Sequence, residues 1–265
     1  MTEYPVDVVN GKYGRIIVPR KDQFVGAGFF AYGEFSQGEV EVFEQIIKPE
    51  MVVADLGANF GAHTLVFSKL VGELGKVYAF EPQRMVYNSL CGTVALNLLY
   101  NVVVVNAAVG EENGYVDEVD LDLSRVNNVG AVSLESVTPE MASYKVPIMK
   151  FLTPCNFIKL DVEGMEELAL RGAAEMLKQS HPILYVENDR KDKSESLVTY
   201  IRSLGYTCYW HHSKIFNEDN FFKNPNNIWN QDYTSLNMIC VPWKDPVQGL
   251  EPVTSFTHPL FQYSR

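Results

Sequence analysis

The 265-residue sequence predicts an α/β fold built on a doubly wound, mostly parallel sheet with a C-terminal antiparallel hairpin, and with a small β-hairpin cap at the N-terminal end. Three observations predict it. Short apolar runs alternate with segments of helical period, as buried parallel strands and their crossover helices do. Several of those runs end in an acid followed closely by glycine or proline. The last two runs follow each other with no helix between them.

Taken in order, residues 1–48 form the cap. Val6 to Val9, the dipeptide Asn10-Gly11 and Tyr13 to Val18 read as a hairpin, because Asn-Gly supplies the positive φ of a tight turn. A helix follows over 38–47. The main domain spans 49–245. Its strands are expected at 51–57, 76–82, 102–109, 157–164 and 182–189, with helices at 62–70, from Pro82 through Leu98, after Gly164 and at 194–204. Pro82 suits a first helical turn. The helix after Gly164 carries Met165, Leu168, Ala169, Gly172, Ala173 and Met176, a stripe of 3.6-residue period that faces a sheet. Strands at 206–210 and 236–242 close the sheet, and 246–265 is a tail.

Composition narrows the function. Twenty-two Lys and Arg against 33 Asp and Glu leave a net charge of −11. Such a surface repels phosphate polyanions, so nucleic acid is not an expected partner. The N-terminal segment lacks a basic stretch followed by an apolar run, and no apolar stretch is long enough to span a bilayer. The cysteines, Cys91, Cys155, Cys208 and Cys240, show no metal-ligand spacing. A cytoplasmic protein without membrane contact is the expectation. The assembly is open, with a homodimer as one option.

In such a sheet the ligand lies beyond the carboxyl ends of the strands. The first main strand delivers Asp55-Leu56-Gly57-Ala58-Asn59-Phe60-Gly61, where Gly57 and Gly61 let backbone approach a ligand. The second ends in Glu81, 26 residues later, placed to accept hydrogen bonds from both ribose hydroxyls. A nicotinamide dinucleotide presents an anionic pyrophosphate and needs a third glycine with no inward acid. Here that glycine is missing and Asp55 opens the loop. S-adenosylmethionine carries an ammonium and a sulfonium instead, which an acidic mouth stabilises.

These blocks resemble the FkbM family of methyltransferases. DLGANFG (55–61), FEPQ (80–83), NAAVG (106–110) and above all IKLDVEGMEELALRGA (158–173) are similar to its hallmark segments, in the family's order, and YGE (32–34) resembles a segment that precedes them. The resemblance covers roughly 30–242. It implies a class I methyltransferase fold (Rossmann-like) and O-methylation of a small acceptor, commonly a sugar or other secondary-metabolite hydroxyl. It also implies donor contacts at Asp55, Gly57, Ala58, Asn59, Gly61, Glu81 and Pro82. Ala107 and Ala108 would lie near the adenine, and Glu34 would reach the methionyl ammonium.

A protonated sugar hydroxyl is a poor nucleophile, so a base or a metal must activate it. Asp161 and Glu163 end the fourth strand, and Glu187 and Asn188 the fifth. If those strands are neighbours, about 4.8 Å apart, Asp161, Glu187 and Asn188 can share a Mg²⁺ ion. That layout is similar to the catechol O-methyltransferases. Without a metal, Asp161 hydrogen-bonds the donor and Glu187 orients the acceptor. As general base His211 is favoured, because an unperturbed imidazole titrates near neutrality, with Glu163 second. Asn217, Asn220, Asn224 and Asn227, set among Phe221, Phe222 and Trp229, suit a sugar site through amide hydrogen bonds and flat aromatic faces. The polar insert 117–144 is expected to complete a lid. Two competing functions are a nicotinamide-dependent oxidoreductase and a non-catalytic donor-binding scaffold. The missing glycine speaks against the first and the retained strand-tip acids against the second.

Overall fold

The computed structural model describes residues 5–118, 122–126, 128, 141–147, 154–244 and 247–262. An antiparallel hairpin comes first, β1 (Val6–Gly11) and β2 (Gly14–Pro19). Its turn is Lys12-Tyr13 rather than Asn10-Gly11, because Gly11 pairs with Gly14 and Asn10 with Arg15. Gly11 is needed for a different reason: a Cβ there would stand 2.7 Å from the Gly33 carbonyl oxygen. Helix α1 (Val25–Tyr32) has no counterpart among the sequence-based expectations. Its run VGAGFFAY is almost wholly apolar and holds two glycines, so neither period nor propensity marks it. Tertiary packing does, with Val25 and Phe29 joining Val9, Ile16 and Val18 against Phe60 and Leu65. Helix α2 (Gln37–Ile46) falls where expected.

The main sheet is built from β3 (Val52–Leu56), β4 (Lys76–Phe80), β5 (Val102–Val105), β9 (Phe157–Leu160), β10 (Ile183–Glu187), β11 (Thr207–Lys214), β12 (Thr234–Val241) and β13 (Glu251–Pro252). Their order is β13-β11-β12-β10-β9-β3-β4-β5. Strands β5, β4, β3, β9 and β10 are parallel; β12, β11 and β13 run antiparallel to their neighbours. The doubly wound sheet with its terminal hairpin is therefore as expected. Helices α3 (Ala62–Val71), α4 (Arg84–Leu96), α5 (Glu166–Gly172), α6 (Ala174–Ser180) and α7 (Lys191–Ser203) supply the crossovers. Pro82 stands two residues ahead of α4 rather than inside its first turn.

The run 102–109 is not one strand. Asn106 donates its amide to the carbonyls of Glu81 and Pro82, which ends β5, and Ala108–Val109 (β6) joins a second sheet. That sheet has the order β6-β8-β7, with β7 (Gly114–Glu118) and β8 (Met141–Val146). Most of the expected lid, 117–144, lies outside the described residues. Leu123, which does not, is buried in the cap's apolar cluster. The tail also adds structure: β13 pairs with β11, and a 3₁₀ turn (Pro259–Gln262) sets Phe261 edge-on to Trp210.

Alternation along the strands gives the sheet two apolar faces. Ala54, Ile158, Leu184 and Cys240 face one cluster together with α5–α7 residues such as Leu170, Met176 and Val198. Val53, Phe157, Tyr185 and Ile239 face the other, where Phe43 of α2 and Phe67 of α3 pack edge-on against them with ring centroids 4.8–5.9 Å apart. Asp55, Lys159 and Glu187 continue this second face by the same alternation, so polar groups replace the apolar ones only at the carboxyl ends of the strands.

The tightest approach joins the loop after β3 to the end of β9. Gly57 has φ 78°, and a Cβ on it would lie 1.8 Å from the Asp161 carbonyl oxygen. Gly57→Ala is therefore expected to lower Tm markedly as well as donor affinity, because both the left-handed φ and the backbone contact oppose a side chain. Equal melting curves for the two proteins would refute this.

Candidate functional site

At the carboxyl ends of β3, β4, β5 and β9 opens a cavity of about 960 Å³, its mouth included, lined by Gly57, Ala58, Asn59, Glu81, Pro82, Ala107, Ala108, Asp161 and Glu163. These nine residues of four separate segments were singled out from sequence, and the fold brings them together. Its position at the strand ends is the one the doubly wound sheet predicts.

Glu81 is pre-oriented. Its Oε2 accepts from the Asn59 backbone N–H at 3.0 Å and its Oε1 from the Gln83 N–H at 2.9 Å. Both oxygens are thus held in place at the cavity wall. Asn59 adopts φ 51° and uses its own side-chain Oδ1 to accept from Phe60 N–H, which holds the loop open toward Glu81. The backbone N–H groups of Gly57 and Ala58 both donate to the Phe80 carbonyl, tying the loop to β4.

Asp55 is fully buried beneath the loop. Its Oδ2 accepts from Thr64 Oγ1 at 2.6 Å and its Oδ1 lies 3.8 Å from Lys159 Nζ. Lys159 is the register partner of Asp55 on β9 and also donates to Asp161 Oδ2 at 3.1 Å. Burial pushes the Asp55 carboxyl above the ordinary carboxylate range, against the pull of Lys159 and Thr64. Burial alone would depress Lys159, but Asp161, Asp55 and Glu39 together hold its ammonium above the usual lysine value. Lys159 therefore stays charged.

Three residues of this polar floor were not anticipated: Glu39, His63 and Lys159, all buried and all lining the cavity. A signal existed for two. Lys159 interrupts an otherwise apolar strand and shares a face with Asp161 two residues on. Glu39 sits on the buried stripe of α2 with Val40 and Phe43. His63, in the first turn of α3, carried no distinguishing pattern.

The tip of β9 is shaped by Glu166, whose Oε1 accepts from the N–H groups of Val162 and Gly164. With Glu163 at φ 54° and Gly164 at φ 101°, the chain turns sharply enough to aim Glu163 at the cavity. There Arg190 Nη2 donates to Glu163 Oε2 at 2.8 Å. Asp161, Glu163 and Glu187 each place a carboxylate oxygen within 4.8 Å of the others. Burial and the neighbouring acids Asp161, Asp189 and Glu163 raise Glu187 well above the carboxylate range.

Several expected site residues stand elsewhere. Asn188 does not join Asp161 and Glu187: it is buried the other way, its Nδ2 donating to Ser194 Oγ at 3.0 Å and contacting Met238 Sδ. Side chains of consecutive residues at a strand end point to opposite faces, and Glu163 takes the place expected of Asn188. Glu34 does not line the cavity. Its Oε1 accepts from Asn217 Nδ2 at 2.7 Å and its Oε2 lies 3.7 Å from Lys12 Nζ. Gly61 is absent from the lining too; it starts α3 with φ 94°. His211 lies away from the lining and shares a 2.8 Å hydrogen bond between its Nδ1 and the Tyr185 hydroxyl.

The four asparagines expected to bind the acceptor are engaged within the loop and with the cap it rests on. Asn220, fully buried, donates to the carbonyls of Asn217 and Asn224 and accepts from Asn224 N–H. Asn224 donates to Ala31 O, and Asn227 to Gln231 O. Tyr32 clasps the loop further, donating from its hydroxyl to Asn226 O and accepting from Ile228 N–H. The loop is thus a strap docked on α1, built of the short side-chain-to-backbone bonds that asparagine favours.

A family profile described as the methyltransferase FkbM domain matches residues 55–208. Among solved structures, FkbM methyltransferase from Methylobacillus flagellatus KT superposes at TM-score 0.48 and 18% identity, covering 76% of this chain and 50% of its own. Precorrin-6y C5,15-methyltransferase from Geobacter metallireducens GS-15 superposes at TM-score 0.50 and 15% identity, covering 79% and 88%. TYW2 of M. jannaschii, solved in complex with AdoMet, gives 0.49 and 14% over 91% and 87%. No curated protein matches in sequence. The likeness to the Geobacter enzyme, at 15% identity, is a likeness of fold.

Burial, with His212 beside it, lowers His211 from 6.5 to about 4. A depressed folded-state value means the unfolded chain takes up this proton first. The associated stability is complete above pH 6.5 and is lost as pH falls toward 4. Wild-type Tm is accordingly expected to drop more than that of His211→Gln between pH 6.5 and 4. Parallel curves would show that His211 does not titrate in this way.

Proposed function

Because the chain belongs to the FkbM methyltransferase family, we propose that it transfers the methyl group of S-adenosylmethionine to a hydroxyl oxygen of a small, sugar-like acceptor. The observation that carries this is the succession of groups along the cavity. The small side chains Ala107 and Ala108 follow β5, Glu81 follows β4, Lys159 lies on β9 with Asp161 just after it, and Asp55 of β3 is buried beneath them. Adenine fits between Ala107, Ala108 and Pro82, the ribose hydroxyls on Glu81, and the cationic remainder of the donor over the acids. Membership of a methyltransferase family weighs against a nicotinamide oxidoreductase, and the acids kept at three strand tips weigh against an inert scaffold.

The acceptor enters at the mouth, where Asp161 and Glu163 face the cavity. A carboxylate within hydrogen-bond reach of the acceptor hydroxyl removes its proton as the oxygen attacks the methyl carbon in line with the departing sulfur. Asp161, braced by Lys159, suits this role, with Glu163 as the second base. His211 does not line the cavity and is engaged by the Tyr185 hydroxyl. The net charge of −11 and the acid-rich mouth favour an uncharged acceptor over a nucleic acid. Among the described residues no helix is long and apolar enough to cross a membrane.

The same mouth admits a divalent ion. Asp161, Glu163 and Glu187 are the hard oxygen donors Mg²⁺ takes, and they would hold it with Glu163 in place of Asn188. Bound there, the ion would supply Lewis-acid stabilisation of the acceptor oxygen.

Glu81→Ala is expected to weaken S-adenosylhomocysteine binding about tenfold or more in calorimetry, the loss of hydrogen bonds to a charged group. Asp161→Asn is expected to reduce kcat by a factor of about 100 or more with a glycoside acceptor. Unaltered donor affinity in the first variant, or an unaltered rate in the second, would remove the assignment. Dialysis against EDTA separates the two versions of the mouth. A rate lost and then restored by Mg²⁺ identifies a metal-assisted enzyme, and a retained rate leaves the carboxylates as base and positioning groups.

A further inference from the structure

The strand order β5-β4-β3-β9 fixes where each end of the proposed donor falls. With adenine at the β5 end and ribose at β4, the α-amino-acid tail of the donor lies over β3 and β9. Three carboxylates surround Lys159 along that stretch: Asp161 and Glu39, which line the cavity, and Asp55, buried beneath it. Two are balanced by the protein. Asp55 is engaged by Thr64 and faces Lys159, and Asp161 accepts from Lys159.

Glu39 differs. It comes from α2 of the cap, is 5% exposed and lines the cavity. Asn237 of β12 donates to its Oε1 at 3.1 Å and so fixes the plane of the carboxylate. Its Oε2 lies 3.6 Å from His63 Nε2, beyond hydrogen-bond range, and among the described residues no lysine or arginine stands within 4.0 Å of it. A buried carboxylate that lines the cavity, with one oxygen fixed by Asn237 and the other turned to a histidine rather than to a lysine or arginine, is what a primary ammonium requires.

Resting on the donor assignment above, we infer that Glu39 is the residue that recognises the α-ammonium of the donor, the role expected of Glu34 from sequence. The helix that carries it then makes the cap a wall of the donor site, and the site is complete only when α2 is docked on the sheet. Phe43, one turn further along α2, packs at 4.8 Å from Tyr185 and 5.2 Å from His63, which holds α2 in the register that presents Glu39.

The test compares two ligands with the same adenosyl group. S-adenosylhomocysteine carries the ammonium, while 5′-methylthioadenosine lacks the whole amino-acid tail. In calorimetry, Glu39→Gln is expected to lose about tenfold or more in affinity for the first and to bind the second within about twofold of wild type. Gln keeps the acceptor for Asn237, and retained 5′-methylthioadenosine binding reports an intact fold. An equal loss on both ligands, or no loss on S-adenosylhomocysteine, would overturn the assignment of Glu39 while leaving the donor site standing. Wild-type protein that binds neither ligand would overturn the donor assignment and this one together.

Discussion

The site depends on a single buried cation. Lys159 Nζ sits 3.1 Å from Asp161 and 3.8 Å from Asp55, on the strand paired with β3. An isolated carboxylate at the depth of Asp55 would protonate rather than remain charged, because desolvation of an ion in the interior is costly. Lys159 offsets that cost for two acids at once, and it does so from a strand whose position the sheet already fixes. Removing one partner of such a group leaves an unpaired buried charge, which costs more than the pair contributes. The ion group therefore stabilises little in itself but makes an acidic floor possible inside an apolar sheet.

The floor forms where it does because of alternation. On one face of the sheet Val53, Phe157 and Tyr185 build the aromatic cluster under α2, and two residues further along each strand stand Asp55, Lys159 and Glu187. The face changes from packing to chemistry within one step of the strand period. Helix α2 follows the same change, with Phe43 over the apolar half and Glu39 over the polar half. One helix thus anchors the cap and reaches the cavity.

Most strands of the main sheet and the loop after β3 were legible in the sequence because they rest on local signals: apolar runs of strand length, glycines at required turns, and acids at the runs' ends. Glu81, Asp161 and Ala107 stand in the cavity for that reason. The residues placed wrongly needed distances the sequence does not hold. Glu34 and Glu39 lie five positions apart on either side of a helix start, and only the docking of α2 decides which reaches the cavity. Asn188 and Glu187 are adjacent in sequence and opposite in direction. Helix α1 was missed because it is specified by what it packs against, and residues 119–121 and 129–140 leave most of the expected lid outside comparison.

The Asn-rich strap shows how composition misleads about recognition. Amides among aromatic rings suit a sugar, yet the same amides suit a long loop that must satisfy its own backbone without strand partners. The second need is met first, because a loop that holds its shape by side-chain-to-backbone bonds is ordered before any ligand arrives. Asn220 makes three such bonds while fully buried, and Asn217 spends its amide on Glu34. By engaging Glu34 the strap withdraws that carboxylate from the cavity. It leaves Glu39, set by Asn237 from the last long strand, as the acid the cap directs inward. The strap therefore bears on donor recognition indirectly, by settling which of two nearby acids is available to face a positively charged ligand.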